Sequence, residues 1–395
     1  MKKNVLFVSL LLCGLAFAFS SCSDDEKEPE VNPADVDLTT ENASAWYNYM
    51  KNVVALLNED SQKLYSAWAV SYNAAGKPYG ELFKLHDSAS GYTSVQSCAQ
   101  EVVEKCAEIA NEVGTAKIGD PYDKWVGGDR NAALYAVESW YSWHSRDDYT
   151  NNIYSIRNAY FGSLDGTVAT HSFAKALEGK DIDVKVRAAI TAAAKAIQDI
   201  TQPFRNHIGS AESRNAMEAC ATLQALLSEV ETEDGGQISA DAVNLRDAVL
   251  NIDEAELQHI IDNYVDNVVI PTYRSLKEKN EQLLAAVNSL LAAPTDRAFK
   301  TACDAWLVAR EPWEKSEAFL FGPVDEFGLD PNMDSWPLDQ NAIMQIMNSQ
   351  NWNELEWADG DDGSKVESAQ NVRGFHTLEF LLFKDGQART VPAGK

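Results

Sequence analysis

The chain has 395 residues, with 33 Lys and Arg against 60 Asp and Glu, and a formal net charge of −27. So acidic a chain does not suit nucleic-acid backbones, which are bound by clustered Lys and Arg, and no nucleic-acid partner is expected. Its charge favours cations, and its length exceeds that usual for one compact domain.

The first 22 residues read as a targeting segment, not as part of a fold. Lys2 and Lys3 supply a positive start, and residues 5–19 are apolar but short for a membrane span. Ser20-Ser21-Cys22 then places small residues before a cysteine. This is similar to a bacterial lipoprotein signal, cleaved so that Cys22 becomes the lipidated anchor. Phe19 stands where Leu is commonest, so an ordinary secretory signal is the alternative. Ser23-Asp24-Asp25-Glu26-Lys27-Glu28 resembles the acidic export tag of Bacteroidetes surface lipoproteins, and residues 23–40 read as a flexible acidic tether. The expected location is the outer membrane, on its surface or periplasmic face. Loss of residues 1–22 removes two positive charges and no negative ones, moving the net charge from −27 to −29.

From about Thr40 onward the apolar period is helical. Trp46, Met50, Val53, Val54, Leu57, Leu64 and Trp68 recur at mostly three- and four-residue steps. So do Val95, Cys98, Val102, Cys106, Ile109 and Val113, with Gly114 at the place of a C-cap glycine. Residues 188–197 and 242–265 read the same way, and no stretch alternates at period two. The fold predicted is all-α. Glu231-Thr232-Glu233-Asp234-Gly235-Gly236 is the clearest internal break. A linker over 231–240 then separates residues 41–230 from 241–395, each with enough helical pattern for a four-helix bundle. Cys98 and Cys106 fall roughly 12 Å apart along a helix axis, too far to bridge, and no Cys-x-x-Cys exists. With Cys220 and Cys303 they are expected to be small core residues.

Three constellations carry chemistry. In Gly374-Phe375-His376-Thr377-Leu378-Glu379, His376 and Glu379 are three apart and share a helical face. An imidazole beside a carboxylate binds a divalent metal, orients a water, or forms a buried hydrogen-bonded pair. Arg310, Trp313 and Glu317 follow Trp306 at steps of four, three and four, on a helix expected to end at Gly322-Pro323. The bland alternative is a stacked ion pair capping a core. Downstream, Asp334-Ser335-Trp336-Pro337-Leu338-Asp339 adds Asp334, which could point into a site, and Trp336. Glu138, Ser142, Ser145, Asp148 and Asn152, spaced four, three, three and four apart, make a polar stripe bordered by Trp140, Tyr141, Trp143 and Tyr149. Such a stripe is usually a solvent face. Short polar side chains among large aromatics suit a buried groove better.

These blocks resemble the imelysin-like family, whose motif is Gly-x-His-x-x-Glu. Arg373-Gly374 and Phe380-Leu381-Leu382-Phe383 flank the motif as in that family, and segments 309–323 and 334–339 match its signature. Segments 109–121 and 138–162 resemble two further blocks. The family's usual C-terminal half here lies first, so the resemblance implies a circularly permuted imelysin fold of two four-helix-bundle-like halves, with residues 261–293 as the family's opening helices. It also implies a site between the halves, where His376, Glu379, Arg310, Trp313, Glu317, Glu138, Ser142, Ser145, Asp148, Asn152, Asp334 and Trp336 converge. Family members are envelope proteins associated with iron uptake, and the group has been classed as metallopeptidases. The implied ligand is a divalent metal, iron or zinc, on His376, Glu379 and Glu317, or an iron-bearing small molecule.

Three functions follow from this: a lipid-anchored binding protein in iron uptake, a metal-dependent peptidase, and a scaffolding partner of an uptake complex. His-Glu-x-x-His, an EF-hand loop, a phosphate loop and Gly-x-Ser-x-Gly are all missing from the sequence. Catalytic zinc usually has three protein ligands and an open position, and His-x-x-Glu supplies two. Glu379 as a ligand is poorly placed to act as general base too. Binding is therefore preferred over hydrolysis. His86, His144, His171, His207 and His259 are expected at the surface or at helix caps.

Overall fold

The computed structural model describes residues 36–72, 76–228, 244–358 and 360–392. The targeting segment with Cys22, most of the tether and the 231–240 linker lie outside the described residues. Asp37–Lys395 form one compact unit.

The helices in chain order are α1 (Ala43–Ala69), α2 (Tyr79–Lys84), α3 (Val95–Glu112), α4 (Gly119–Val126), α5 (Arg130–Ala136) and α6 (Ser145–Phe161). They continue with α7 (Phe173–Ala176), α8 (Asp181–Asp199), α9 (Ala211–Leu227), α10 (Leu245–Ala248), α11 (Glu254–Tyr264) and α12 (Ile270–Ala292). Last come α13 (Asp296–Glu314), α14 (Pro323–Glu326), α15 (Leu329–Asp334), α16 (Gln340–Ser349), α17 (Gly363–Gln370) and α18 (Gly374–Leu382). The predicted all-α class is what forms. A two-residue hairpin follows α18, pairing Phe383 with Ala388 and Lys384 with Gln387. Its turn, Asp385-Gly386, has positive φ at both residues, as a tight hairpin requires.

The apolar stripes read from the sequence are the buried faces. In α1, Trp46, Met50, Val53, Val54, Leu57, Leu64 and Trp68 are all buried. In α3, Val95, Cys98, Val102, Cys106 and Ile109 are buried, and Ser94 with Ser97 forms a reciprocal N-terminal cap. Among the described residues, Cys98, Cys106, Cys220 and Cys303 are buried and reduced. The five remaining histidines are half-buried or exposed. One group of helices packs α3 on α9 and α11, and α8 on α6 and α9. Another packs α12 on α1 and α13, and α1 on α18. Contacts of α6 with α13 join the two.

Three local expectations are corrected. Gly114 does not end a helix: Val113–Lys117 is a π turn that carries α3 into α4. A Cβ on Gly114 would lie 3.0 Å from Cys220 Cβ, so the glycine lets α9 approach. The 242–265 stretch is not one helix either. Asn244 caps α10, and Asp253 caps α11 by accepting from the amides of Ala255 and Glu256, so each polar cap starts a new element. Finally, the helix carrying Arg310 stops at Glu314, two residues beyond Pro312, well before Gly322. Proline removes a backbone donor and crowds the preceding turn.

Candidate functional site

Buried residues line α18 along its whole length, so neighbouring groups fix its position. Gly374 opens it at φ +84°, where a Cβ would sit 2.4 Å from the Met333 carbonyl oxygen. The motif's glycine is thus a packing requirement: α18 begins against the end of α15. Trp46 Nε1 donates to Leu381 O at 3.0 Å and Trp306 Nε1 to Phe375 O at 3.0 Å. Tyr49 donates to Val372 O at 2.7 Å, just ahead of the motif. These bonds aim His376 and Glu379 inward, where both are buried.

Arg310, from α13, is fully buried at the centre. Its Nη2 lies 2.7 Å from Glu138 Oε1 and 2.5 Å from Glu314 Oε1, and Nε lies 3.5 Å from Asp148 Oδ2. Its Nη1 bonds Asp334. His376 Nε2 faces Asp334 Oδ1 at 3.1 Å and Glu138 Oε1 at 3.3 Å, while Nδ1 faces Glu379 Oε2 at 3.1 Å. The other oxygen of Glu379 accepts from the Ser142 amide at 2.7 Å. Lys117, from the π turn, bonds Glu138 Oε2 at 2.9 Å. Trp313 Nε1 donates to Asp334 Oδ2 at 2.6 Å, and Asn152 Nδ2 to Glu314 Oε2 at 2.5 Å. Trp336 sets its ring edge-on to His376, with centroids 5.0 Å apart.

Electrostatics divide the carboxyls. Burial pushes Glu314 well above the usual carboxylate range, against Arg310 and with help from Asp148 and Asp334. Burial does the same to Glu317, against Lys117. Asp148 is also raised by burial, and Asp330 is pushed up to about 7 by burial with Asp334 and Glu112 nearby. Glu138 is held well below that range despite burial, because Lys117, His376 and Arg310 surround it. Asp334 is lowered likewise by Arg310 and His376. For His376, burial and Arg310 favour the neutral ring, but Asp334 and Glu138 prevail and hold its pKa well above the ordinary value. This favours the charged ring, with both nitrogens facing carboxylate oxygens.

The polar stripe is not one helix. Ser139 and Trp143 have φ of +53° and +62°, so residues 137–144 turn irregularly between α5 and α6. The hairpin supports this turn, with the Gly386 amide donating to Tyr141 O at 2.8 Å. Glu138 and Ser142 reach the site from the turn; Asp148 and Asn152 reach it from α6. Ser145 acts on backbone only, donating to Glu138 O at 2.5 Å. Glu317 sits on a 3-10 turn, Glu317–Phe319, because α13 has already ended.

Among the described residues, two sets of ligand atoms come within 4.8 Å of one another: Glu138, Asp334 and His376, and Glu314, Glu317 and Asp334. Glu317 therefore does not join His376 and Glu379 in one such set; it falls in the second.

The sequence matches the family model described as imelysin, Peptidase_M75, over residues 25–230 and 269–395. This chain belongs to the imelysin family. A crystal structure of an imelysin peptidase from Bacteroides ovatus is 59% identical, with a TM-score of 0.85, covering 91% of this chain and 100% of that one. Iron-regulated protein A of Synechococcus elongatus is 36% identical over 124 residues, 31% of each chain, so the match spans under a third of that relative.

In this imelysin the residues that sequence reading missed are Glu314, Lys117, Ser139 and Asp330. Glu314 lies four residues after Arg310, a spacing that offers an ion pair on any helix. Ser139 donates to Asp148 Oδ2 at 2.5 Å from a left-handed backbone that no pattern announces. Lys117 reads as a surface lysine until the π turn rotates it inward.

Proposed function

We propose that this imelysin binds a divalent cation in the cell envelope, with iron as the physiological candidate. One observation carries the reading: six buried carboxyls, of Glu138, Asp148, Glu314, Glu317, Asp334 and Glu379, meet three cationic groups, of Arg310, Lys117 and His376. A buried carboxylate without a counter-charge costs several kcal/mol. The site must take up protons or a cation, and a divalent ion answers the deficit directly. Its closed, buried character suits an ion better than a bulky iron-bearing molecule. The name of the Synechococcus relative supports iron. The Cys22 sequence supports a lipid anchor at the outer membrane, and the order of the family blocks supports a permuted chain. An uptake-system protein is the partner this reading implies.

The description of the Bacteroides ovatus neighbour as a peptidase favours metal-dependent hydrolysis as a second reading. Hydrolysis needs a metal position open to water and substrate, and His376 and Glu379 are both buried to within 1%. Metal analysis of protein purified without an affinity tag, beside a proteolysis assay, separates the two. Bound cation without turnover is expected. Failure to retain any cation after loading with Fe(II), Mn(II) or Zn(II) would refute the binding reading. Zinc-dependent cleavage, lost in a folded His376→Ala variant, would establish the peptidase.

A further inference from the structure

We propose that the cation sits away from the imidazole of the Gly-x-His-x-x-Glu motif, on an all-oxygen set formed by Glu314, Glu317 and Asp334. This rests on the cation-binding reading and adds its ligands and its chemical class.

The His376 set is already filled. The two terminal nitrogens of Arg310 bond Glu138 and Asp334, and Nη2 comes within 3.2 Å of His376 Nε2. A guanidinium thus occupies the space toward which those three ligand atoms point. Both nitrogens of His376 face carboxylates. Metal ligation needs a neutral imidazole with a free lone pair. The motif here sets its imidazole among Arg310, Glu138, Asp334 and Glu379, with both ring nitrogens already facing protein groups.

The second set also meets Arg310, whose Nη2 lies 2.5 Å from Glu314 Oε1 and whose Nη1 bonds Asp334, but its third member, Glu317, does not pair with the guanidinium. Glu317 is 6% exposed, and among the described residues its side chain makes no hydrogen bond and no ion pair. Its carboxyl converges within 4.8 Å on those of Glu314 and Asp334. The nearby amine, on Lys117, is committed to Glu138 Oε2. Asn152 binds Glu314 Oε2 through Nδ2, and its Oδ1, on a fully buried residue, has no partner. Asp334 receives Arg310 on Oδ1 and Trp313 on Oδ2, yet each carboxylate oxygen keeps a second lone pair. Arg310 and Trp313 then act as outer partners that orient a ligand.

The local fold explains why these side chains meet. Pro312 ends α13 at Glu314, and the 3-10 turn brings Glu317 round to the same side. Asp334 closes the set from the last residue of α15. Three carboxyls, with no sulfur or imidazole, suit a hard divalent ion such as Mn(II) or Fe(II).

The test titrates the tag-free mature protein with Mn(II), following free Mn(II) by electron paramagnetic resonance. It also locates Mn(II) by anomalous diffraction in crystals of the unsubstituted protein. We expect one Mn(II) bounded by Glu314, Glu317 and Asp334. Glu317→Gln should weaken binding at least about tenfold, and His376→Gln, which perturbs Asp334 only as its neighbour, by clearly less. The diffraction readout does not depend on either variant folding. A peak bounded by Glu138, Asp334 and His376, or a larger loss in His376→Gln than in Glu317→Gln, overturns the assignment and leaves the cation-binding reading standing. No saturable binding of Mn(II) or Fe(II) overturns both.

Discussion

Arg310 Nη2 and His376 Nε2 address the same oxygen, Glu138 Oε1, at 2.7 and 3.3 Å, while lying 3.2 Å from each other. Two cationic groups so close repel, and the arrangement holds because Glu138, Asp334 and Glu314 enclose them. Their charges are one unit, so removing either member exposes the rest.

The first prediction follows for Arg310. Arg310→Met leaves Glu138, Asp148, Glu314 and Asp334 without their shared partner in a dry interior. Breaking a buried pair from one side costs about 3–5 kcal/mol. Urea denaturation at pH 7 should show a loss of that size, smaller at pH 5, where the orphaned carboxyls can protonate. A loss below about 1 kcal/mol at pH 7 would mean that solvent already reaches this cluster.

A second prediction separates the two burdens on Gly374. Gly374 and Gly179 have nearly the same backbone, φ +84° and +81°. A Cβ on Gly179 meets nothing within 4 Å, whereas one on Gly374 meets Met333 O at 2.4 Å. Gly179→Ala should therefore cost only the left-handed strain, about 1–2 kcal/mol. Gly374→Ala adds overpacking worth about 1–3 kcal/mol more. Equal losses in the two variants would show that α18 moves freely away from α15.

Much of the fold was legible because the apolar period is local. The stripe in α1 and the flanks of His376 announce buried helices without knowledge of their neighbours. What stayed hidden depends on backbone breaks. Glu138 to Asn152 has helical spacing, but Ser139 and Trp143 take left-handed φ, so two of the five stripe residues, Glu138 and Ser142, lie on a turn. Pro312 was in plain view, and its effect on Glu317 needed only the rule that proline shortens a helix. Asp385-Gly386 carried a hairpin signal that two-residue strands made easy to overlook. Lys117 had no signal at all, since a π turn sets its direction.

A third prediction tests Lys117 as a structural counter-charge. Its amine lies 2.9 Å from Glu138 Oε2, with both side chains under 10% exposed. Lys117→Met and Glu138→Gln should each destabilise the protein. Because both variants remove the same contact, the double variant should lose less than the sum, by about 0.5–3 kcal/mol. Simple additivity would place the two groups in independent environments.

The last prediction concerns pH. Burial, together with the Asp334 and Glu112 charges, pushes the Asp330 carboxyl from its ordinary value up to about 7. The folded chain then holds this proton more tightly than the unfolded chain, whose aspartates titrate near about 4. Below about pH 4 both states are protonated and the group costs nothing. Between about 4 and 7 the unfolded chain releases the proton first, so stability falls as pH rises; above about 7 the loss is constant. Asp330→Asn removes this titration while keeping nearly the same shape. With chelator present, its melting temperature relative to the parent should climb from pH 4 to pH 7 and level off by pH 8. Taking the difference between variant and parent at each pH cancels most other titrations, though that of Asp334 remains coupled. A difference that stays flat from pH 4 to pH 8 would show that Asp330 is solvated enough to ionise at its ordinary value.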